Sequence, residues 1–186
     1  MIIIHCMETV RRVASAALGA ALDAMAVVVL TGARQTGKST LAREIGGDDR
    51  LYLTVDDFDV LEQAGDDPDG LVARAPRQTL DEVQRAPALL LAIKRAVDRK
   101  RQRGRFLLTG SANLALLDKV PESLAGRASY LSLWPMTRRE QRGKGRCGVW
   151  QELLDAPGDA WPAVTSGLLA TPRPTWNATS RRSLRS

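Results

Sequence analysis

The residues best suited to chemistry form a glycine-bounded loop that a lysine and a serine close. Residues 32–39 read Gly-Ala-Arg-Gln-Thr-Gly-Lys-Ser and satisfy the pattern G-x-x-x-x-G-K-[ST] of a phosphate-binding loop. Glycines at both bends let backbone N–H groups approach a polyphosphate, and the next helix adds a partial positive charge. Lys38 would contact the outer phosphates, and the Ser39 hydroxyl would ligate Mg²⁺. The candidate phosphate-binding residues are Gly32, Ala33, Arg34, Gln35, Thr36, Gly37, Lys38, Ser39 and Thr40.

The alternative for this loop is a chance match in a glycine-containing turn. The β-branched run Ala26–Leu30 precedes it, and a helical pattern over Lys38–Ile45 follows it. Strand, loop and helix in this order are the context that a phosphate-binding loop requires. The sequence therefore predicts binding of a nucleoside triphosphate with Mg²⁺.

A second candidate is the acidic pair Asp81-Glu82. A carboxylate at a strand end can hold Mg²⁺, and a neighbouring glutamate can polarise an attacking water. The preceding residues weaken this interpretation, since Arg77 and Gln78 occupy positions that should be buried in such a strand. An acidic pair before a helix also commonly forms an N-terminal cap. Spacing alone leaves both interpretations open.

Hydrophobic periodicity predicts an α/β domain with a mostly parallel sheet, because short strands alternate with amphipathic helices. Gly46-Gly47 and Gly104 are expected to end helices. The predicted helices cover Val10–Met25, Lys38–Ile45 and the segment from Pro87 through Val97, and the predicted strands are Ala26–Leu30, Leu51–Val55, Arg105–Thr109 and Tyr130–Leu133.

Composition fits a globular protein with one core, and the net charge of +6 is unevenly distributed. Residues 138–186 hold 9 Lys/Arg against 4 Asp/Glu, whereas residues 1–137 are nearly neutral. A basic tail suggests a partner, with nucleic acid as one candidate. The basic run Arg99–Arg103 is better explained by its place at a helix C-terminus, where cations complement the helix dipole.

The expected location is the cytoplasm. Cys6 and Cys147 form neither a disulfide framework nor a metal-binding set, which fits a reducing compartment. The weakly charged stretch Val13–Thr31 is interrupted by Asp23 and is rich in alanine, so we do not expect a membrane span.

Four linked segments resemble a bacterial and archaeal family of AAA-type ATPases. They are Gly32–Leu41, Leu80–Pro87, Gly104–Asn113, and Leu124–Arg127 followed by Leu133–Pro135. The resemblance covers roughly residues 8–141 and implies a P-loop NTPase fold with an AAA-like core. It also implies ATP as the nucleotide, since the loop itself reads phosphates and not the base.

The resemblance assigns roles to further residues. Asp81 would lie near Mg²⁺, and Glu82 would be the general base. Ser111 or Asn113 would position the attacking water. Arg127 is similar to an arginine finger that could act on a neighbouring subunit, although a plain surface arginine is the alternative.

The predicted organisation is an ATPase core at 1–141 and a weakly structured basic tail at 142–186. Family members carry a further C-terminal domain that the tail does not resemble, so we expect a truncated core. The predicted function is Mg²⁺-dependent ATP binding with ATP hydrolysis, in a homo-oligomer or with an unidentified protein partner. The alternatives are a nucleotide-dependent binding module without turnover and, more weakly, a small-molecule kinase.

Overall fold

A computed structural model describes residues 10–111 and 124–143, all within the first of two compact units, Met1–Gly145. The helices are α1 (Ala14–Ala24), α2 (Lys38–Gly46), α3 (Phe58–Asp66), α4 (Pro68–Ala73), α5 (Ala88–Arg99) and α6 (Arg138–Gln141). The strands are β1 (Val27–Thr31), β2 (Leu51–Thr54), β3 (Gln78–Asp81), β4 (Phe106–Thr109) and β5 (Ala128–Ser132). No helix among them is long and apolar enough to cross a lipid bilayer.

The five strands form one parallel sheet in the order β2-β3-β4-β1-β5. The central strand β1 is buried along its whole length, as expected for a parallel strand with helices on both faces. Val27 and Val29 pack into a core cluster with α3, α4 and α5. Val28 and Leu30 pack into a second cluster with α1 and α2. The predicted α/β fold with its parallel sheet is confirmed.

The helices α3 and α4 had no counterpart in the sequence prediction, which left residues 58–77 unassigned. Only Val60 and Ala64 of α3 are buried, so the apolar signal of this helix is short. In α4 the Asp67 side chain accepts a hydrogen bond from the Gly70 N–H at 2.8 Å, and Pro68 occupies the first turn. Local capping therefore starts a helix that is too brief for a periodic pattern.

The strand β3 shows how Gln78 can be buried. Arg77 precedes the strand and is exposed, while Gln78 has no exposed surface. The Gln78 Nε2 group donates to the backbone oxygens of Val72 at 2.9 Å and Ala75 at 3.1 Å. The polar residue that weakened the sequence interpretation thus joins the loop after α4 to the sheet.

The parallel strands bring their carboxyl ends to one edge of the sheet. Thr31, Asp81 and Thr109 are the last residues of β1, β3 and β4. Ligand sites of parallel sheets lie at this edge. The loop at residues 32–37 leaves β1 here, so the fold places the candidate phosphate loop beside the candidate acidic pair.

Candidate phosphate-binding site

Backbone geometry explains the two glycines of the loop. Gly32 has φ 156°, and a Cβ atom there would lie 2.4 Å from the Leu133 carbonyl oxygen. Gly37 has φ 88° and is the N-cap of α2. Other residues rarely adopt such conformations. The loop is therefore bent tightly enough for its N–H groups and the start of α2 to surround an anion.

Lys38 places a cation within this loop. Its side chain is 6% exposed, and Nζ donates to the Gly32 oxygen at 3.0 Å and the Ala33 oxygen at 2.8 Å. None of the ion pairs found among residues 10–111 and 124–143 includes Lys38. A buried cation held only by carbonyl dipoles is poorly compensated, so an anion in the loop would be attracted strongly.

Asp81 ends β3 as a buried carboxylate, 4% exposed. The Tyr52 hydroxyl donates to its Oδ2 at 2.5 Å, and the Thr109 hydroxyl donates to its Oδ1. Burial, the hydrogen bond to Asp81 and the negative charge of Asp81 together raise the pKa of Tyr52 to about 12. Asp81 therefore belongs to a side-chain network across β2, β3 and β4 and caps no helix.

The oxygen donors beside the loop fit Mg²⁺. The Tyr52 hydroxyl donates to Asp81 and also lies near the Ser39 side chain, so one phenol is close to both Ser39 and Asp81. Mg²⁺ prefers such oxygen ligands and usually needs only one or two from the protein, because water and phosphate supply the rest. The described part of the chain holds no cluster of three or more acidic, histidine or cysteine ligands.

Glu82 has the backbone conformation of a strained residue. Its φ of 56° is left-handed, which is uncommon for a residue other than glycine. It is the N-cap residue of a short 3-10 helix, Val83–Arg85, but its side chain makes no capping hydrogen bond, and its carboxylate accepts a hydrogen bond from the Gln84 amide. The side chain is partly exposed at the edge that carries the loop.

The structure separates the remaining candidates. Ser111 is partly exposed and lies two residues beyond β4, at the sheet edge that carries the phosphate loop. Asn113 lies outside the described residues. Arg127 directly precedes β5, so it lies at the opposite edge of the sheet. There it donates to the Asp98 carboxylate at 2.6 and 3.0 Å. Arg127 is therefore far from the loop of its own subunit, and a role as a finger would require a neighbouring one.

The sequence interpretation missed Arg12. This arginine is 6% exposed, and its guanidinium contacts three separate segments. It donates to the Thr36 oxygen of the loop at 2.6 Å, the Trp134 oxygen at 2.7 Å and Glu140 Oε1 at 3.1 Å. Arg12 thus holds the phosphate loop against the segment that follows β5.

Glu140 is the anionic partner of Arg12. It forms a capping box with Thr137, a Thr-x-x-Glu pattern that could have been found in the sequence. Burial alone would raise the pKa of Glu140. Four hydrogen bonds outweigh the effect of burial and lower the pKa of Glu140 from 4.5 to about 2. They come from the Thr137 and Val13 N–H groups, from Arg12 and from the Thr137 hydroxyl.

We predict that Glu140 makes the fold sensitive to acid. A carboxyl with a lowered pKa stabilises the fold above pH 4.5, and this contribution is lost as the pH falls from 4.5 to about 2. Urea unfolding at pH 7 should therefore show Glu140→Gln to be clearly less stable than the wild type, with the gap narrowing at pH 3. Glu62→Gln, which changes an exposed carboxylate on α3, is the control for general acid effects. A gap independent of pH would contradict this role of the carboxylate.

Comparisons with known proteins agree with this geometry. A family model described as an AAA domain matches residues 24–141. The uncharacterized proteins Mb2031c of Mycobacterium bovis and Rv2008c of Mycobacterium tuberculosis are each 36% identical over 149 residues. That match covers 79% of this chain, but the chain spans only about a third of these relatives, 34% of their length.

A solved structure shares the fold. AMPPCP-bound DnaA from Aquifex aeolicus matches with a TM-score of 0.50 and 15% identity, over 80% of this chain and 53% of that one. An identity this low supports the fold alone. The family model, in contrast, covers more than half of the sequence and includes the phosphate loop, β3 and the segment after β5. The chain belongs to the AAA domain family and has the P-loop NTPase fold, a nucleotide-binding fold.

Proposed function

We propose that this domain binds ATP with Mg²⁺ and hydrolyses it. The observation that carries the proposal is the buried Lys38, held in the glycine loop at the sheet edge where Asp81 ends β3. The DnaA structure that shares the fold holds AMPPCP, an ATP analogue, which makes ATP the first ligand to test.

Each group of the site has a part in the proposed reaction. Lys38 and the N–H groups of the loop bind the phosphates and neutralise their charge. Ser39 and Asp81 would hold Mg²⁺, which supplies further positive charge beside the outer phosphates. Tyr52 and Thr109 orient the Asp81 carboxylate by hydrogen bonds to its two oxygens. Their contacts keep the carboxylate from turning away from the loop.

The proposed base is Glu82, which would take a proton from the attacking water. Its carboxylate follows Asp81 directly and is partly exposed, so water can reach it. Ser111, which follows β4, or Asn113 would orient that water. Removing the proton as the water attacks makes oxygen a better nucleophile and supplies a typical general-base contribution.

We predict that Mg·ATP stabilises the folded wild type and that Lys38→Ala abolishes the effect. A ligand that binds only the folded state adds about 2.7 kcal/mol at 100 times its dissociation constant. Thermal unfolding with and without Mg·ATP measures this shift. Lys100→Ala is the matched control, because Lys100 is an exposed lysine just after α5 at the opposite edge.

The control should melt like the wild type under both conditions. A folded wild type whose unfolding temperature does not respond to Mg·ATP would contradict nucleotide binding. A shift that Lys38→Ala retains would place the nucleotide elsewhere.

A second candidate is a nucleotide-dependent binding module without turnover. The position of Arg127 favours it, since this arginine is ion-paired at the edge opposite the loop and so does not reach the phosphate site of its own subunit. Stabilisation by Mg·ATP without phosphate release at any protein concentration would support the module. Phosphate release that rises with protein concentration would instead support hydrolysis in a homo-oligomer. An unidentified protein partner, nucleic acid binding and a cytoplasmic location stay predictions from the sequence.

A further inference from the structure

An exposed tryptophan lies at the edge of the phosphate loop. Trp134 is 77% exposed and follows β5, the strand that pairs with the P-loop strand β1. The preceding residue, Leu133, brings its carbonyl oxygen within 2.4 Å of the position that a Cβ atom would take on Gly32. The Leu133 carbonyl group, which directly precedes Trp134, is thus in contact with Gly32, the first glycine of the loop.

The backbone at Trp134 is fixed relative to that loop. One guanidinium, that of Arg12, donates both to the Trp134 oxygen at 2.7 Å and to the Thr36 oxygen at 2.6 Å. Pro135 follows and restricts the conformation of Trp134 further. The backbone that carries this exposed indole is therefore attached to the loop through a buried arginine.

The layout of the site determines on which side a nucleobase would lie. Asp81 and Glu82 are at the end of β3, two strands from β1 in the direction of β2. The γ-phosphate must face these carboxylates if they act in hydrolysis. A nucleotide that crosses the loop with its γ-phosphate on this side directs its base to the other side, where β5 and Trp134 are located.

Two further apolar side chains occur near the Arg12 contacts. Val13 is 38% exposed and Met136 is 39% exposed. The Val13 N–H donates to Glu140, so the segment with Val13 and the segment with Trp134 and Met136 are joined by the same buried ion pair. These two segments thus expose an aromatic, an aliphatic and a thioether side chain, which are groups that suit the flat faces of a base.

We propose that Trp134 is the platform on which the nucleobase stacks. This inference rests on the proposed nucleotide binding and adds the site of the base. Stacking reads the ring system and not its exchangeable groups, so the platform favours purines over pyrimidines and discriminates weakly between ATP and GTP.

The test compares ligands with and without a base. Calorimetric titration with Mg·ATP and with inorganic tripolyphosphate and Mg²⁺ is carried out on the wild type, Trp134→Ala and Trp134→Phe. We expect Trp134→Ala to weaken ATP about tenfold and to leave tripolyphosphate unchanged, while Trp134→Phe retains most of the affinity. The wild-type preference for ATP over UTP should disappear in Trp134→Ala.

Phe58→Ala is the matched control. Phe58 is an aromatic residue 76% exposed at the start of α3, after β2 at the far end of the same sheet edge. Its removal should change the affinity for neither ligand.

Three outcomes would overturn the platform. Equal weakening of ATP and tripolyphosphate by Trp134→Ala would show that the residue only supports the loop. Unchanged ATP affinity would show that the indole serves another contact, such as one with a partner protein. If the wild type bound tripolyphosphate as tightly as ATP, the base would contribute nothing to the affinity. Absence of binding by either ligand would instead refute the proposed function itself.

Discussion

Replacing Arg12 with alanine is expected to lower the free energy of unfolding by about 3–5 kcal/mol, the largest stability effect that we predict. The side chains of Arg12 and Glu140 are 5% and 4% exposed, so the mutation would leave a buried carboxylate without its cation. It would also remove the donor to two carbonyl groups, those of Thr36 and Trp134. Unpaired buried charges and polar groups are costly because water cannot reach them.

The measurement is urea unfolding of the purified domain without nucleotide. Arg95→Ala is the matched control, since Arg95 pairs with Asp69 at a site where both side chains are almost half exposed. Exposed pairs contribute about 0–1 kcal/mol. If Arg12→Ala and Arg95→Ala proved equally stable, the buried contacts of Arg12 would not support the fold.

Arg12→Lys separates charge from geometry. Lysine preserves the positive charge, but its single ammonium group lacks the planar fork that joins three acceptors on different segments. We expect its stability to lie between wild type and Arg12→Ala. Its affinity for Mg·ATP should fall as well, because the Thr36 carbonyl belongs to the phosphate loop. This loss of binding in a folded variant would identify Arg12 as a positioning residue of the loop.

The sequence predicted the sheet and loop well because both depend on strong local signals. Val27, Val28 and Val29 form an apolar run that can only be buried, and the glycines of residues 32–37 follow it directly. Predicted ends of β1, β2 and β4 agree with the structure within one residue. The start of β5 at Ala128 was placed too late, since Ala128 and Ser129 carry little strand signal.

Contacts between distant residues could not be predicted in the same way. Arg12 and Glu140 are 128 positions apart, and each by itself has the character of a surface charge. Tyr52 and Thr109 likewise have no local signal that directs them to Asp81 from two other strands. Such networks depend on the strand order, which places β4 between β1 and β3. The position of Arg127 at the opposite edge follows from that topology too.

Replacing Glu82 with glutamine is expected to reduce ATP turnover by about 10²- to 10⁴-fold, the contribution typical of a general base. An amide cannot accept the proton of the attacking water, although it has nearly the same shape as the carboxylate. Because Lys38, Ser39 and Asp81 remain, binding of Mg·ATP should persist. Phosphate release and thermal stabilisation by Mg·ATP, measured on the same preparation, distinguish the two effects.

Glu62→Gln is the control for this substitution. Glu62 is an exposed carboxylate on α3 without a place in the proposed site, and its removal should leave turnover within about twofold of wild type. Equal phosphate release from wild type and Glu82→Gln would show that Glu82 is not the base, even if nucleotide binding is confirmed. A Glu82→Gln variant that neither binds nor hydrolyses ATP would indicate instead that the negative charge of Glu82 is needed to bind Mg·ATP, because glutamine preserves the size of the side chain but not its charge.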